Sequence, residues 1–342
     1  PKLAATRAMK ASKARCVTLW WRRSAASCFE AAFFMPSRRR NSFIMAAPSS
    51  VRRAVLNRKY HRMTSNFIGV AGLPRAGSTL LCQLLAQHPD LHCEGNSSPL
   101  CNALLGMRRM VSDDAFFLSQ LDSTFDASYG HLKTAMQGFL RGWYQDCGKQ
   151  GVVDKNRAWL HCVEMLLQLA PEAKIIVCVR ELGQVYGSIE AQHQRTILVD
   201  FIDHLADFDR MGRADMLFAK DRTIGAPLSS LHAVLDLPAD VQQKLYFVRF
   251  EDLMARPVEC MSHLYAWLGL APWQIDPHNL AVGIQESDSH YRMKYTHRQQ
   301  ATISVPKLHA IPPRIQAQIE SAYDWFYELY YPQHQRAAMP SA

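Results

Sequence analysis

Three short stretches of this 342-residue chain carry side chains whose types and spacing could do chemistry. The first is "FIGVAGLPRAGSTLLC", in which an apolar run ends at Gly72 and passes through Leu73-Pro74-Arg75-Ala76-Gly77-Ser78-Thr79 into a helical pattern. Its frame is that of a phosphate-cradling loop, G-x-x-x-x-G-K-[ST], with Ser78 in the place of the lysine. The glycines let successive backbone N–H groups converge on an anion, and the helix that follows adds the positive end of its dipole. Arg75 supplies a cation from another place, and Ser78 and Thr79 supply hydroxyls. In nucleotide hydrolases the missing lysine reaches the terminal phosphates while the Ser/Thr holds magnesium. Its absence argues against ATP or GTP hydrolysis and for an anion of fewer charges held without a metal. A plain strand–helix turn shaped by Gly72 and Gly77 is the alternative.

The second stretch, "VVDKNRAWLHC", brings Lys155 to the end of an apolar run, beside Asp154 and Arg157. A lysine there can neutralise charge that builds on a transferring group, or it can be a solvated turn residue. The third, "AKIIVCVRELGQVYGSIEAQHQ", places Arg180 directly after an apolar run and Ser188 about two helical turns further on. Arg and Ser at such positions could grip a second phosphate; a surface ion pair of Arg180 with Glu181 is the alternative.

The elements that must position these residues are legible in the periodicity. Phe67–Ala71, Gly151–Val153, Lys174–Val179 and Leu245–Phe250 read as buried strands. Helical patterns fall at about 78–87, 98–112, 130–145, 158–170, 182–194, 256–270 and 312–331, the last opening on a double proline suited to a helix start. Alternation of this kind predicts an α/β fold with three layers: a mainly parallel sheet flanked by helices, of the P-loop type. Ligands of such sheets bind beyond the carboxyl ends of the strands, where the loop, Lys155 and Arg180 all fall.

Charge is distributed unevenly. Residues 1–62 hold 15 Lys/Arg against one acid, Glu30, whereas the remaining 280 hold 24 basic and 29 acidic groups. The basic excess therefore belongs to a tail, and the body gives no reason to expect a nucleic-acid partner. The tail (1–62) is expected to be disordered and outside the fold. Its Arg/Ala/Ser-rich composition resembles an organellar transit peptide, and a start at Met45 or Met63 would remove it. Its apolar stretch is too short to span a bilayer, so no transmembrane segment is expected. Residues 63–342 read as one domain. The nine cysteines show no C-x-x-C pair, and Cys178 sits inside an apolar run as a small hydrophobe. This points away from a zinc site and toward a reducing compartment, with a cytoplasmic location expected unless the tail directs the chain to an organelle.

Taken together, the three stretches resemble the sulfotransferase family, whose donor is 3′-phosphoadenosine 5′-phosphosulfate (PAPS). The similarity is to the branch of tyrosylprotein and bacterial sulfotransferases and covers about 65–335. "GLPRAGSTLL" resembles the family's 5′-phosphosulfate loop, so Arg75, Ala76, Gly77, Ser78 and Thr79 inherit donor binding. "VRELGQVYGSIEAQ" resembles its 3′-phosphate segment, which assigns Arg180 and Ser188 to that phosphate. Lys155 in "DKN" falls at the family's catalytic lysine, and "FVRFEDLMARPVECMSHLYAWLGL" resembles a structural stretch. The resemblance implies sulfuryl transfer from PAPS to an acceptor hydroxyl by in-line displacement without a metal, aided by Arg75 and Lys155. The acceptor class is a hydroxyl on a small molecule, a carbohydrate or a peptide. At the branch's general-base position stands Asn96, which cannot take a proton; Glu94, two residues away, is the carboxylate in reach, and His92 is an alternative. The branch's acceptor arginine is Ser98. In "SDSHYRMKYTHRQQ", Lys294 is the expected late contact to the donor, with Tyr291 and Tyr295 as stacking candidates. Two other readings remain open on the residues alone, a donor-binding module without turnover and a P-loop nucleotide kinase.

Overall fold

The computed structural model describes residues 66–201, 203–283, 286–287, 296–297 and 299–334. The tail expectation and the Lys294 assignment lie outside the described residues. Five parallel strands form the central sheet: β1 (Phe67–Gly72), β2 (Leu91–Ser97), β3 (Gly151–Lys155), β4 (Lys174–Val179) and β5 (Leu245–Arg249). Their order is β2-β3-β1-β4-β5. In register, Val70 pairs with Lys155 and with Ile176, and Gly72 with Cys178. Every strand ends at the same edge, so the three stretches above meet there. A second, two-stranded antiparallel sheet joins β6 (Glu286–Ser287) to β7 (Thr296–His297).

The helices are α1 (Ser78–Leu85), α2 (Leu100–Ser112), α3 (Ala115–Trp143), α4 (Val163–Leu169), α5 (Leu182–Arg195), α6 (Arg210–Phe218), α7 (Gly225–Ala233), α8 (Ala239–Gln242), α9 (Phe250–Ala255), α10 (Pro257–Leu268), α11 (Pro313–Ala322) and α12 (Asp324–Tyr330). Strand alternation sends neighbours to opposite layers. Lys155 reaches Thr79 on α1, while Asp154 accepts hydrogen bonds from Trp159 Nε1 (2.6 Å) and the Tyr144 hydroxyl (2.7 Å) on the other face. The architecture is thus the expected three-layer α/β fold. Its middle strands are buried along their length because helices cover both faces. Among the described residues, no helix is long and apolar enough to cross a membrane.

Four details differ from the sequence reading. Strand β2 was not expected, since "LHCEGNS" buries only Leu91 and Gly95 and carries polar residues elsewhere; as an edge strand it needs just one neighbour. Helix α3 begins 15 residues earlier than the expected 130, and it is kinked at Thr124 (φ −142°, ψ 53°). The 158–170 segment opens as a 3₁₀ turn (Arg157–His161) before α4. The closing helix breaks at Tyr323 (φ −124°, ψ 41°) into α11 and α12, which lets Phe326, Tyr327 and Tyr330 turn into the core.

Candidate active site

The loop between β1 and α1 is shaped by close approach of backbone to backbone. Gly72 has φ +123°, and a Cβ there would lie 2.1 Å from the Cys178 carbonyl oxygen, so only glycine fits against β4. Arg75 and Gly77 both take left-handed conformations (φ +59° and +84°), which turns the chain sharply into α1. The first helical bond of α1 runs from Leu81 N–H to Gly77 O (2.9 Å), and no side chain caps the helix. The N–H groups of Ser78, Thr79 and Leu80 therefore lie outside the helical ladder, at the positive end of its dipole.

Two cationic arms close on this loop. Lys155, buried at the end of β3, donates from Nζ to Thr79 Oγ1 at 3.3 Å. Arg180, just past β4, donates from Nη1 to the Arg75 carbonyl at 3.0 Å, and its guanidinium stacks over the Phe250 ring at 4.4 Å. Its Nε is buried with no hydrogen-bond partner among the described residues. Burial holds Arg180 below its ordinary pKa; Glu251 pulls it upward and Arg75 downward. From the loop, Arg75 Nε donates to Ser188 Oγ on α5 at 3.0 Å, which ties loop and helix together.

The start of α5 is held by its own sequence. Glu181 caps it, accepting from Gly183 N–H (2.9 Å) and Gln184 N–H (2.7 Å), and Glu181 is itself gripped by the Tyr327 hydroxyl at 2.6 Å. Glu251 accepts from the Glu181 N–H (3.3 Å) and from Tyr331 (2.8 Å). The acids next to Arg180 are therefore occupied with positioning.

Arg75, Gly77, Ser78, Thr79 and Arg180 line one cleft of about 430 Å³, flanked on its outer side by residues from 299–300 and 302–307. Ala76 is buried behind the loop. Sequence reasoning missed Ser304, Lys307 and Phe250, which also line the cavity. The available signal was a lysine and a serine shortly before the double proline of α11, without periodicity to mark them.

Glu94 is exposed (68% of its side chain) and faces His92 across 3.4 Å; it does not line the cavity. Asn96 Oδ1 is buried without a partner among the described residues. Ser98 is fastened to the end of β3: its N–H donates to the Lys155 carbonyl (2.9 Å) and its own carbonyl accepts from Asn156 Nδ2 (2.7 Å).

Residues 68–275 match the sequence model of the sulfotransferase family. The chain belongs to that family. Protein-tyrosine sulfotransferase 1 of Danio rerio is 27% identical over 208 residues, 60% of this chain and 53% of that protein. Nodulation protein NoeE of Sinorhizobium fredii is 26% identical over 219 residues, 59% of this chain and 49% of that protein. The chain thus spans about half the length of the curated relatives it matches. Among solved structures, the sulfotransferase domain from the curacin biosynthetic pathway aligns with 75% of this chain and 97% of that one, at 17% identity and a TM-score of 0.40.

Proposed function

We propose that this chain transfers a sulfuryl group from PAPS to an acceptor hydroxyl by in-line displacement, without a metal. The observation that carries the reading is a single cavity served by two anion-binding walls, joined through Arg75. One wall is the helix start with Ser78 and Thr79; the other is Arg75 with Arg180. Lys155 and Ser188 stand behind the lining, reaching it through Thr79 and Arg75. Two such walls suit a nucleotide that carries anionic groups at both the 3′ and the 5′ position of its ribose. The orphaned Nε of buried Arg180 and the N–H groups of α1's uncapped first turn fit such a donor.

Bound there, PAPS would supply a sulfuryl group already activated by its phosphate leaving group. The N–H groups of Ser78 and Thr79 are assigned to the 5′ end, with Arg75 beside them. Lys155 is assigned to the bridging region, where its ammonium can offset charge gathering on the departing oxygen. Thr79 Oγ1 already takes a hydrogen bond from that ammonium, so a cation of the protein stands where nucleotide hydrolases bind magnesium. Arg180, Ser188 and the cavity-lining Lys307 are assigned to the 3′-phosphate. Glu94, exposed on β2 and outside the cavity lining, is the assigned carboxylate for the acceptor's proton. The acceptor is a hydroxyl of a small molecule, carbohydrate or peptide. Asn96 and Ser98 give no support for the protein-tyrosine acceptor named in the zebrafish relative.

Thermal stabilisation of the full chain by PAP, the desulfated product, against ADP with Mg²⁺ tests the reading. At 100-fold over its Kd, PAP should add ~2.7 kcal/mol. Stabilisation by ADP-Mg²⁺ and none by PAP would sink the proposal. Lys155→Ala should then abolish turnover while PAP still binds.

A further inference from the structure

His309 lies on the segment between the cavity's outer wall and α11, two residues past Lys307, where the lining ends. Gln184 of α5 fixes its backbone at both ends: the His309 N–H donates to Gln184 Oε1 (2.8 Å), and Gln184 Nε2 donates to the His309 carbonyl (3.0 Å). Gly187 allows the close approach, because a Cβ there would stand 2.6 Å from His309 Cβ and 3.2 Å from its Cγ. The imidazole therefore starts against the residue next to Ser188, whose hydroxyl Arg75 already holds.

Three cations lower the charge tolerance of the ring: Arg180 at the end of β4, Lys307 on its own segment and Arg75 in the β1 loop. From α6, Arg210 reaches the adjoining Ala310 carbonyl at 3.4 Å, with Glu190 of α5 as its acidic neighbour at 3.8 Å. Among the described residues, neither ring nitrogen has a hydrogen-bond partner. Burial, followed by these three cations, holds His309 below its ordinary pKa. The downward shift favours the uncharged ring, which adds no repulsion to the cluster.

We propose that His309 is a further ligand of the donor's 3′-phosphate and takes up a proton when that phosphate binds. The inference rests on the PAPS reading of the cavity. A dianion seated among Arg75, Arg180 and Lys307 reverses the sign of the local field, which favours the protonated ring. The imidazolium N–H then makes a charge-assisted hydrogen bond to a phosphate oxygen. By linkage, donor affinity rises as pH falls between the pKa of the bound and the free protein.

Calorimetric titration of the full chain with PAP, at pH 7.5 in two buffers of different ionisation heat, counts the protons taken up. The wild type should gain about half a proton or more beyond His309→Asn and His309→Arg. Any proton gained by the phosphate itself is common to all three proteins and drops out of the difference. The His309→Arg variant carries its charge permanently, so it should bind PAP at pH 8.5 at least as tightly as the wild type and tighten less on lowering the pH to 6.5. Because the free ring titrates below its ordinary 6.5, the wild type should tighten over that interval about tenfold for each unit by which the bound ring's pKa lies above 6.5. With 5′-AMP, which lacks the 3′-phosphate, the His309-dependent uptake should vanish. Equal uptake in wild type and both variants overturns the inference while leaving the PAPS reading intact, as does His309-dependent uptake with 5′-AMP. Failure of all three proteins to bind PAP overturns the PAPS reading and this inference with it.

Discussion

Gly77→Ala is the substitution in which strain and ligand binding are most directly coupled. Gly77 sits at φ +84°, and a Cβ added to it would lie 2.6 Å from Phe250 Cδ2. Carbon atoms settle at about 3.5–4.0 Å, so the ring must retreat by about 1 Å. The left-handed backbone costs a residue with a Cβ about 1–2 kcal/mol, and the forced repacking about 1–3 more. A stability loss of about 3 kcal/mol follows, or roughly 6–12 °C in Tm for a domain of this size. The ring also carries the Arg180 guanidinium at 4.4 Å. Displacing the ring moves the cation assigned to the 3′-phosphate, with a cation–π contribution of ~0.5–2 kcal/mol at stake. PAP affinity should therefore fall about tenfold. Gly95→Ala is the control: its φ is +76°, but a Cβ there meets nothing within 4 Å. It incurs the backbone cost alone, so the difference between the two variants isolates the Phe250 contact. Calorimetric PAP titration and thermal unfolding of both variants provide the readout. A Gly77→Ala protein that binds PAP within twofold of wild type would refute the link from the loop through Phe250 to Arg180.

Two further outcomes are expected. Glu190 on α5 is clasped by Arg213 through Nε–Oε2 (2.9 Å) and Nη2–Oε1 (2.6 Å), and both residues are buried. Burial alone would raise the Glu190 pKa, but hydrogen bonds from Arg213 and Gln194 outweigh it and bring the pKa below its ordinary 4.5. The stabilisation it contributes is complete above pH 4.5 and is lost as pH falls through the lowered value. Glu190→Gln should thus flatten the acid limb of a stability–pH curve below pH 4.5, and should cost about 3 kcal/mol at neutral pH by leaving Arg213 buried without its counter-ion. Gly138 is exposed in α3 with open space where a Cβ would go, so Gly138→Ala should raise stability by about 0.5–1 kcal/mol in chemical denaturation; a loss would contradict the helix there.

What the sequence made legible follows from where the constraint sits. The central strands are apolar runs because both faces are covered, and the β1 loop is written in glycines because backbone packs on backbone at Cys178. Strand β2 has no such run, since pairing with β3 alone holds it, and its register shifts between Cys93 and Ser97. The first half of α3 escaped because this 29-residue helix buries only Ser128, Met136 and Leu140. Among site residues, Arg75, Thr79, Lys155, Arg180 and Ser188 could be found in sequence because each adjoins a strand end or its helix. The outer wall could not. Lys307 and His309 lie on an irregular segment, anchored by Gln184 and by Gln83, whose Nε2 donates to the carbonyls of Ala281 (2.8 Å) and Gln300 (3.2 Å). Anchors between side chain and distant backbone leave no periodicity to read.

The same distinction bears on the 3′-phosphate of the proposed donor. Arg75 sits at φ +59°, a conformation unfavourable for a residue with a Cβ, and that turn points its carbonyl at Arg180 and its Nε at Ser188. Arg180 is buried, below its ordinary pKa, and leans on an aromatic face and a carbonyl rather than on a carboxylate. The neighbouring acids could have neutralised it, but Glu181 is committed to the α5 cap and Tyr327, and Glu251 to Tyr331 and the Glu181 N–H. The fold thus spends conformational strain to keep a positive charge desolvated and incompletely paired. An arrangement of that kind is offset only by an anion. A nucleotide whose charge lies wholly at its 5′ end would satisfy the α1 wall and leave Arg180 as it is. In the proposed reading a phosphate on the 3′ position reaches the second wall as well, so discrimination against ATP would need no clash: it would arise from the cation that ATP leaves uncompensated.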